Sequence, residues 1–452
     1  MREIPGPPPQ ADGGLSAVTA AGGLHTYQLR LHDEYGPVVR FQLPGARAAV
    51  SVADPVLLEA TAKVNERPGK LFEFLAPLCE AGNLQTLPAA EHVPLRRALL
   101  SVLAGRRSHE AHFAAFTALT GELADRWADR AAAGPVELQH DLSELSLRMI
   151  CQYALGRGID DPARVVSAFE TVLTGYLGRL YEHGLYAHGD DLSRAEQALA
   201  HLREVVDGVL AAGGSDLVDA LVRADMSPAR VRDTVLMIML AAHHTTGVAV
   251  SWTLHLLARH PEAAARAVAE LDDVLGERAA PEYADLKRLP YLEMALKESM
   301  RLYPPGPYGA RETTEDLTLG DYRIPAGTTI FYPFWAVHLN PRYWPDPHAF
   351  RPGRFTAEEQ AGRPRYAFIP FGLGPRSCEG AGLAMVEAEL VLAVLLKRFR
   401  FEPVAGHPVV PVERFVLWAA DDIRMRLTDR RTDRPPDGRR SRRPGDRGRD
   451  GG

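Results

Sequence analysis

Cys378 is the residue whose surroundings are best prepared for chemistry. It lies in Phe371-Gly372-Leu373-Gly374-Pro375-Arg376-Ser377-Cys378-Glu379-Gly380, and a helical run begins directly after it. A cysteine between glycines ahead of a helix is placed to become a thiolate, because free N–H groups and the helix dipole favour negative charge. Gly372, Gly374 and Gly380 leave room for backbone to pass close to a flat ligand. Arg376 sets a permanent cation two residues before the sulfur, suited to a carboxylate. Read singly, such a cysteine is a small hydrophobe of the core.

Other constellations lie upstream. Glu298 and Arg301 stand three apart, on one face of a helix, a spacing that by itself reads as a solvated ion pair. His92 and Arg96 stand one helical turn apart. Ser227-Pro228 is a cap and first-turn pair that opens a long helix running to about residue 259. Its centre, 235–246, is apolar almost all round except for His243, His244, Thr245 and Thr246. A helix of that kind crosses the middle of a large domain.

The elements that must carry these residues are mostly helices. Residues 1–25 are rich in Pro and Gly and read as an irregular lead, followed by one domain over 26–428. Strands are expected at 37–43 and 48–52, around the turn Pro44-Gly45, and again at 317–324, 328–331 and 415–427. Between them the chain reads as helix to about residue 300, with breaks at Gly134-Pro135, Gly213-Gly214 and Pro281. The last segment, 429–452, holds nine arginines against five aspartates and reads as a disordered basic tail.

Over 452 residues the charged fraction is 24% and the net charge −6. That excludes a mostly disordered or collagen-like chain, and a weakly acidic chain makes a poor nucleic-acid binder. Three cysteines, Cys79, Cys151 and Cys378, are too few for a disulfide framework. The N-terminal MREIPGPPPQ has no apolar run, so the expectation is a cytoplasmic protein without a membrane span.

Phe371, Gly372, Gly374, Arg376, Cys378 and Gly380 fill every specified position of F-G-x-G-x-R-x-C-x-G. From about residue 25 to 427 the chain resembles the cytochrome P450 family, in a bacterial, soluble form. The resemblance implies a mainly α fold with small β-sheets, a single large helix-rich domain. It implies haem b held by the Cys378 thiolate, with Phe371, Gly372, Arg376 and Gly380 around it and His92, Arg96 and Arg311 on its propionates. It also implies a buried structural triad of Glu298, Arg301 and Arg354 that locks the cysteine loop. The long helix then crosses the distal face, where the family pattern is Ala/Gly-Gly-x-Asp/Glu-Thr. This chain keeps Thr245 but has Ala242 for the glycine and His244 for the acid. Three readings of His244 stay open: a proton shuttle in place of the acid, a bystander, or the mark of a protein whose oxygen activation is impaired.

The implied activity uses O2 to insert one oxygen atom into a hydrophobic small molecule, by hydroxylation or epoxidation. Tailoring of a bacterial terpenoid or polyketide is the expected role. Electrons would come from NAD(P)H through a separate reductase and ferredoxin, docking on Arg97, Arg376, Lys397 and Arg398. By family position the substrate pocket comprises Phe72, Phe74, Leu78, Ala241, Pro305, Tyr308 and Phe415, in a monomer. The alternative is a peroxide-dependent or non-oxygenating haem-thiolate protein, or a haem-based ligand-binding protein.

Overall fold

The computed structural model describes residues 2–156, 159–180, 192–212 and 216–432, less a few side chains, that of Phe74 among them. The expected break at Gly213-Gly214 and the tail from residue 433 lie outside the described residues. The last helix, Ala381–Arg398, leads into strand Phe399–Pro403, which pairs antiparallel with Arg424–Asp429, so the start of the expected tail is strand.

The central element is the helix Pro228–Arg259, 32 residues long and therefore about 48 Å from end to end. Ser227 caps it by accepting from the Arg230 N–H at 3.3 Å, and Pro228 occupies its first turn. Its apolar faces are enclosed on nearly all sides. Although long and apolar enough to span a bilayer, its most hydrophobic window is 78% buried inside the domain. It lies against the helix Leu138–Leu155 so closely that a Cβ on Gly247 would come within 2.8 Å of the Leu142 backbone. Glycine is thus required there by helix contact, not by conformation.

A four-stranded sheet forms in the order Val38–Phe41, Ala49–Val52, Thr329–Tyr332, Gly309–Glu312. Ala49–Val52 runs parallel to Thr329–Tyr332, and the outer pairings are antiparallel. Side chains alternate between two apolar clusters, as strand period two requires. Val38, Val50, Val52, Ile330 and Tyr332 face one, and Val39, Phe41, Ala49 and Phe331 face the other. The second cluster corrects the irregular N-terminal lead. Residues Leu15–Ala20 form a helix and Leu24–Tyr35 another, with Val18 wholly buried beneath the sheet. Apolar residues inside a Pro/Gly-rich segment were enough to bind it to the domain.

The late strands form where the alternation placed them, but Gly309–Glu312, Phe399–Pro403, Pro411–Arg414 and Val136–Glu137 are additional. The hairpin Pro411–Arg414/Val416–Ala419 is tied to the central helix by the Trp252 indole, which donates to the Leu417 carbonyl at 2.9 Å. Trp252 also stacks on Tyr303 at 4.0 Å. The helix, the hairpin and the loop after Leu302 are thereby held around one cavity.

Candidate active site

Cys378 stands three residues before the helix Ala381–Arg398. Its N–H donates to the Phe371 carbonyl at 2.9 Å, and the Ser377 N–H donates to Gly374 at 3.1 Å, closing the loop on itself. Gly372 and Gly374 both take positive φ, +74° and +67°. At Gly374 a Cβ would also collide with the carbonyl oxygen of Ala62, so this glycine serves the loop's seat on the domain rather than a ligand. Gly380 has ordinary φ, and a Cβ there would meet the Cys378 Sγ only at contact distance, 4.0 Å.

The Cys378 sulfur opens onto a cavity of about 390 Å³, although protein encloses it on its other sides. Burial pushes the thiol pKa up, while the Gly380 N–H and the Arg96 guanidinium pull it down. Cys79 and Cys151 differ: both are buried, their thiols pushed up to about 11 and about 12, and neither lines the cavity. Of three cysteines, one is placed to act on a ligand.

Cations crowd the same cavity. Arg311 reaches it from strand Gly309–Glu312, almost fully buried, with its Nη1 on the Ala310 carbonyl and its Nε without a partner. Arg67, which sequence reasoning did not single out, lies over the Phe72 ring at 4.6 Å; its Nη2 donates to Gln85 at 2.7 Å and its Nε also lacks a partner. Desolvation holds both guanidiniums below the usual arginine range, helped by repulsion from Arg311 and Arg376 at Arg67 and from Arg376 and Arg96 at Arg311, which lies at about 10. Outside the cavity lining, His92 is 1% exposed with Nδ1 unpartnered, its pKa lowered to about 3 by burial and then by Arg376 and Arg96, so its ring is neutral. Buried, unneutralised cations are expensive. This cluster calls for an anionic ligand.

Two expected members of the cluster are otherwise engaged. Arg96 donates to the Ser377 carbonyl at 2.6 Å and pairs with Glu379, so it braces the cysteine loop. Arg376 donates to Asn65, Leu84 and Leu87, at 2.7–2.9 Å. Backbone carbonyls consume the fork that the sequence suggested for a carboxylate.

On the opposite wall, the central helix contributes Met237, Ala241, Thr245, Thr246 and Ala249, a repeat of about one turn. The Thr245 hydroxyl donates back to the Ala241 carbonyl at 2.8 Å. His244, one residue off that stripe, points elsewhere. Its Nδ1 is 3.3 Å from the Ser143 hydroxyl and its ring stands edge-on to Trp418 at 5.1 Å. Burial, then His243 beside it, holds its pKa well below the ordinary value, so the ring is neutral. Of the three open readings, this geometry weighs against His244 as a proton shuttle acting directly in the cavity.

The triad forms as expected. Arg301 makes a two-pronged pair with Glu298 at 2.7 and 2.8 Å, and Arg354 Nε donates to the same carboxylate at 3.1 Å. The remaining Arg301 donors reach the carbonyls of His338, Pro347 and Ala349. Glu298 and Arg301 are wholly buried, which excludes the solvated-pair reading.

One known family matches most of the chain's length. The sequence profile described as Cytochrome P450 matches residues 5–425. The chain belongs to the cytochrome P450 family.

Among curated cytochrome P450 proteins, the human cytochrome P450 4F12 is 45% identical over 173 residues, 38% of this chain and 33% of its own. The mouse cytochrome P450 4V2 is 40% identical over 178 residues, 39% and 34% of the two chains. The human cytochrome P450 4Z1 is 37% identical over 217 residues, 46% and 43%. The chain thus spans between a third and a half of the length of these relatives.

Of the expected pocket residues, Phe72, Ala241, Pro305, Tyr308 and Phe415 line the P450 cavity. Leu78 does not; it is packed into the main core. Phe74 falls outside the described side chains. Phe415 is the single residue between strands whose ends pair, Arg414 with Val416, and it takes φ +67°. A bulky residue in that region is held there by its surroundings. The cavity also holds Glu413, unmarked by sequence, which accepts from Tyr308 and lies 3.1 Å from His25 Nδ1. Of the expected docking cations, Arg376 is buried, Lys397 pairs with Asp272 and Arg398 with Asp125, whereas Arg97 is exposed.

Proposed function

We propose that this P450 is a haem-thiolate monooxygenase acting on a hydrophobic small molecule. One observation carries the reading: a thiol opening onto a cavity whose buried guanidiniums lack an anion. Haem b fits that donor set, with Cys378 as the thiolate ligand and Arg311, Arg67 and His92 offering their unpartnered N–H groups to the propionates. Bound there, haem would supply the activation of O2, helped by electron density from the thiolate.

The chain's own residues do the rest. The buried triad holds the chain between His338 and Arg354, Arg96 and Arg376 brace the cysteine loop at residues 376–379, and apolar walls exclude water from the reacting carbon. Phe72, Ala241, Pro305 and Phe415 orient the substrate, and the Thr245 hydroxyl, bonded to the Ala241 carbonyl in the cavity wall, is the group offered to bound oxygen. Electrons arrive from NAD(P)H through a separate reductase and ferredoxin, with Arg97 as one contact on the cysteine side. We take the substrate to be a bacterial terpenoid or polyketide, hydroxylated or epoxidised by a cytoplasmic monomer.

Turnover with a surrogate ferredoxin system under isotopically labelled dioxygen tests this. One labelled oxygen atom in the product is expected. Binding of apolar ligands with no labelled product would favour the non-oxygenating alternative instead.

A further inference from the structure

One carboxylate in the cavity wall has no cation of its own. Glu413 lines the cavity from the hairpin strand Pro411–Arg414, with 8% of its side chain exposed. Its Oε1 accepts from the Tyr308 hydroxyl. Its Oε2 lies 3.1 Å from His25 Nδ1 and accepts from the His25 backbone N–H at 3.4 Å. Both oxygens act as acceptors, as those of an ionised carboxyl do. Among the described residues no arginine or lysine pairs with Glu413, whereas Glu379, the other acid of the lining, is paired with Arg96.

Three elements fix the position of this carboxylate. Leu417, its cross-strand partner, is anchored at both backbone groups: the N–H donates to the Pro305 carbonyl at 2.8 Å, and the carbonyl accepts from the Trp252 indole at 2.9 Å. The His25 ring is wholly buried and stacks on Trp335 at 5.3 Å. Tyr308 lines the cavity beside Pro305, Gly306 and Pro307. A carboxylate oxygen has two acceptor positions, and Tyr308 takes one of those on Oε1, which leaves one for a donor entering the cavity. With Arg67 and Arg311 given to the propionates, the wall left to the substrate is apolar, with Leu24, Leu71, Phe72 and Phe415 in it. An anion among apolar side chains attracts a cation more strongly than it would in water.

We propose that Glu413 selects the substrate by charge, binding the protonated amino group of a hydrophobic amine whose apolar body fills the rest of the cavity. The ammonium N–H donates to Oε1, while Tyr308 and His25 keep the carboxylate in place. A hydroxyl would fill the same acceptor position but leave the charge unneutralised, so the charged donor is favoured. A carboxylic acid is turned away, because it would bring a second negative charge to a wall that offers it no cation. This rests on the monooxygenase reading and narrows its substrate to a skeleton that carries a basic nitrogen.

The test measures dissociation constants of the ferric holoenzyme by equilibrium dialysis, for three probes on one skeleton: dimethyl(phenylbutyl)amine, phenylbutanol and phenylbutyric acid. The tertiary amine is protonated at neutral pH and hindered as an iron ligand, and the haem absorbance reveals any direct ligation. Wild type should bind the amine about tenfold more tightly than the alcohol, the margin of a charged over a neutral hydrogen bond, and the acid most weakly. Glu413→Gln keeps the volume and an oxygen for Tyr308 but has no charge. It should weaken the amine about tenfold and leave the alcohol nearly unchanged. An unchanged amine affinity in Glu413→Gln, with the carbon monoxide spectrum of a thiolate-ligated haem intact, overturns the proposal. Equal weakening of all three probes marks a structural residue and overturns it as well. So does a wild type that binds the alcohol or the acid as tightly as the amine, a ranking that needs no variant to fold. A wild type without the thiolate–haem spectrum overturns the monooxygenase reading, and the proposal with it.

Discussion

At the scale of single residues, the cavity is defined by groups left without partners. Cys378 announced itself in the sequence because glycines, arginine and a following helix surround it within ten residues. Arg67 and Glu413 did not, because nothing local separates a buried ionisable residue from the many that are solvated. Their meaning arises only when distant elements close over them. Arg67 is the clearest case, being one of forty-seven arginines and distinguished only by its burial beside Arg311 and Arg376. Replacing Arg67 or Arg311 with alanine removes a hydrogen bond to an anion, worth about 1.5–3 kcal/mol. Haem transfer to apomyoglobin should then speed up roughly 10- to 100-fold, and an unchanged rate would show that neither residue holds the group. His244 gives the opposite expectation. Its side chain is packed against Ser143 and Trp418, so His244→Gln should leave peroxide release per electron unchanged in turnover. The sequence placed His244 beside Thr245 correctly, but chain proximity could not say that a rotation of about 100° per residue turns it off the cavity.

At the scale of elements, the site depends on how three segments are clamped. The helix Pro290–Leu302 was legible as a helix, and Glu298 with Arg301 as a pair on one face. That the pair is buried, and locks the chain from Asp346 to Arg354 through a set of carbonyl contacts, required the tertiary structure. Removing one partner of such a pair leaves the others charged and dry. Glu298→Ala should therefore cost about 3–5 kcal/mol of stability, seen as a lower midpoint in denaturant and as early loss of haem absorbance on heating. The glycines show the same gap between spacing and cause. Gly374 was read as clearance for a ligand, yet it clears Ala62. Gly247 was not noticed, yet it lets the central helix meet its neighbour.

At the scale of the whole molecule, the fold class, the central helix and the first hairpin were legible because their apolar periodicities are long and unbroken. The N-terminal lead was misread because Pro and Gly outweighed a few apolar residues that the sheet then buried. Several buried ionisable groups also leave a collective signature. Burial lowers the pKa of His32 and His255 to about 4 and of His338 to about 3. Below the unfolded value of roughly 6.5 the unfolded chain takes up protons that the folded chain refuses, so stability falls as pH drops toward 4. Glu387 and Glu389 act in the reverse sense, their pKa raised to about 8 by burial. Above roughly 4.5 the unfolded chain releases protons that the folded carboxyls keep, so their contribution is lost as pH rises through 8. Apoprotein stability, read as the urea midpoint, should peak near pH 6.5 and decline on both sides; a flat profile from pH 4 to 8 would contradict these burials.

On the proposed reading Cys378, as a thiolate, holds haem in the cavity lined by Arg67 and Arg311. The most direct measurement is the absorbance of the reduced protein under carbon monoxide, wild type against Cys378→Ser. The wild type should show the red-shifted band of a thiolate-ligated haem, and the variant should lose it. A wild-type spectrum without that band, or an identical band in Cys378→Ser, would contradict it.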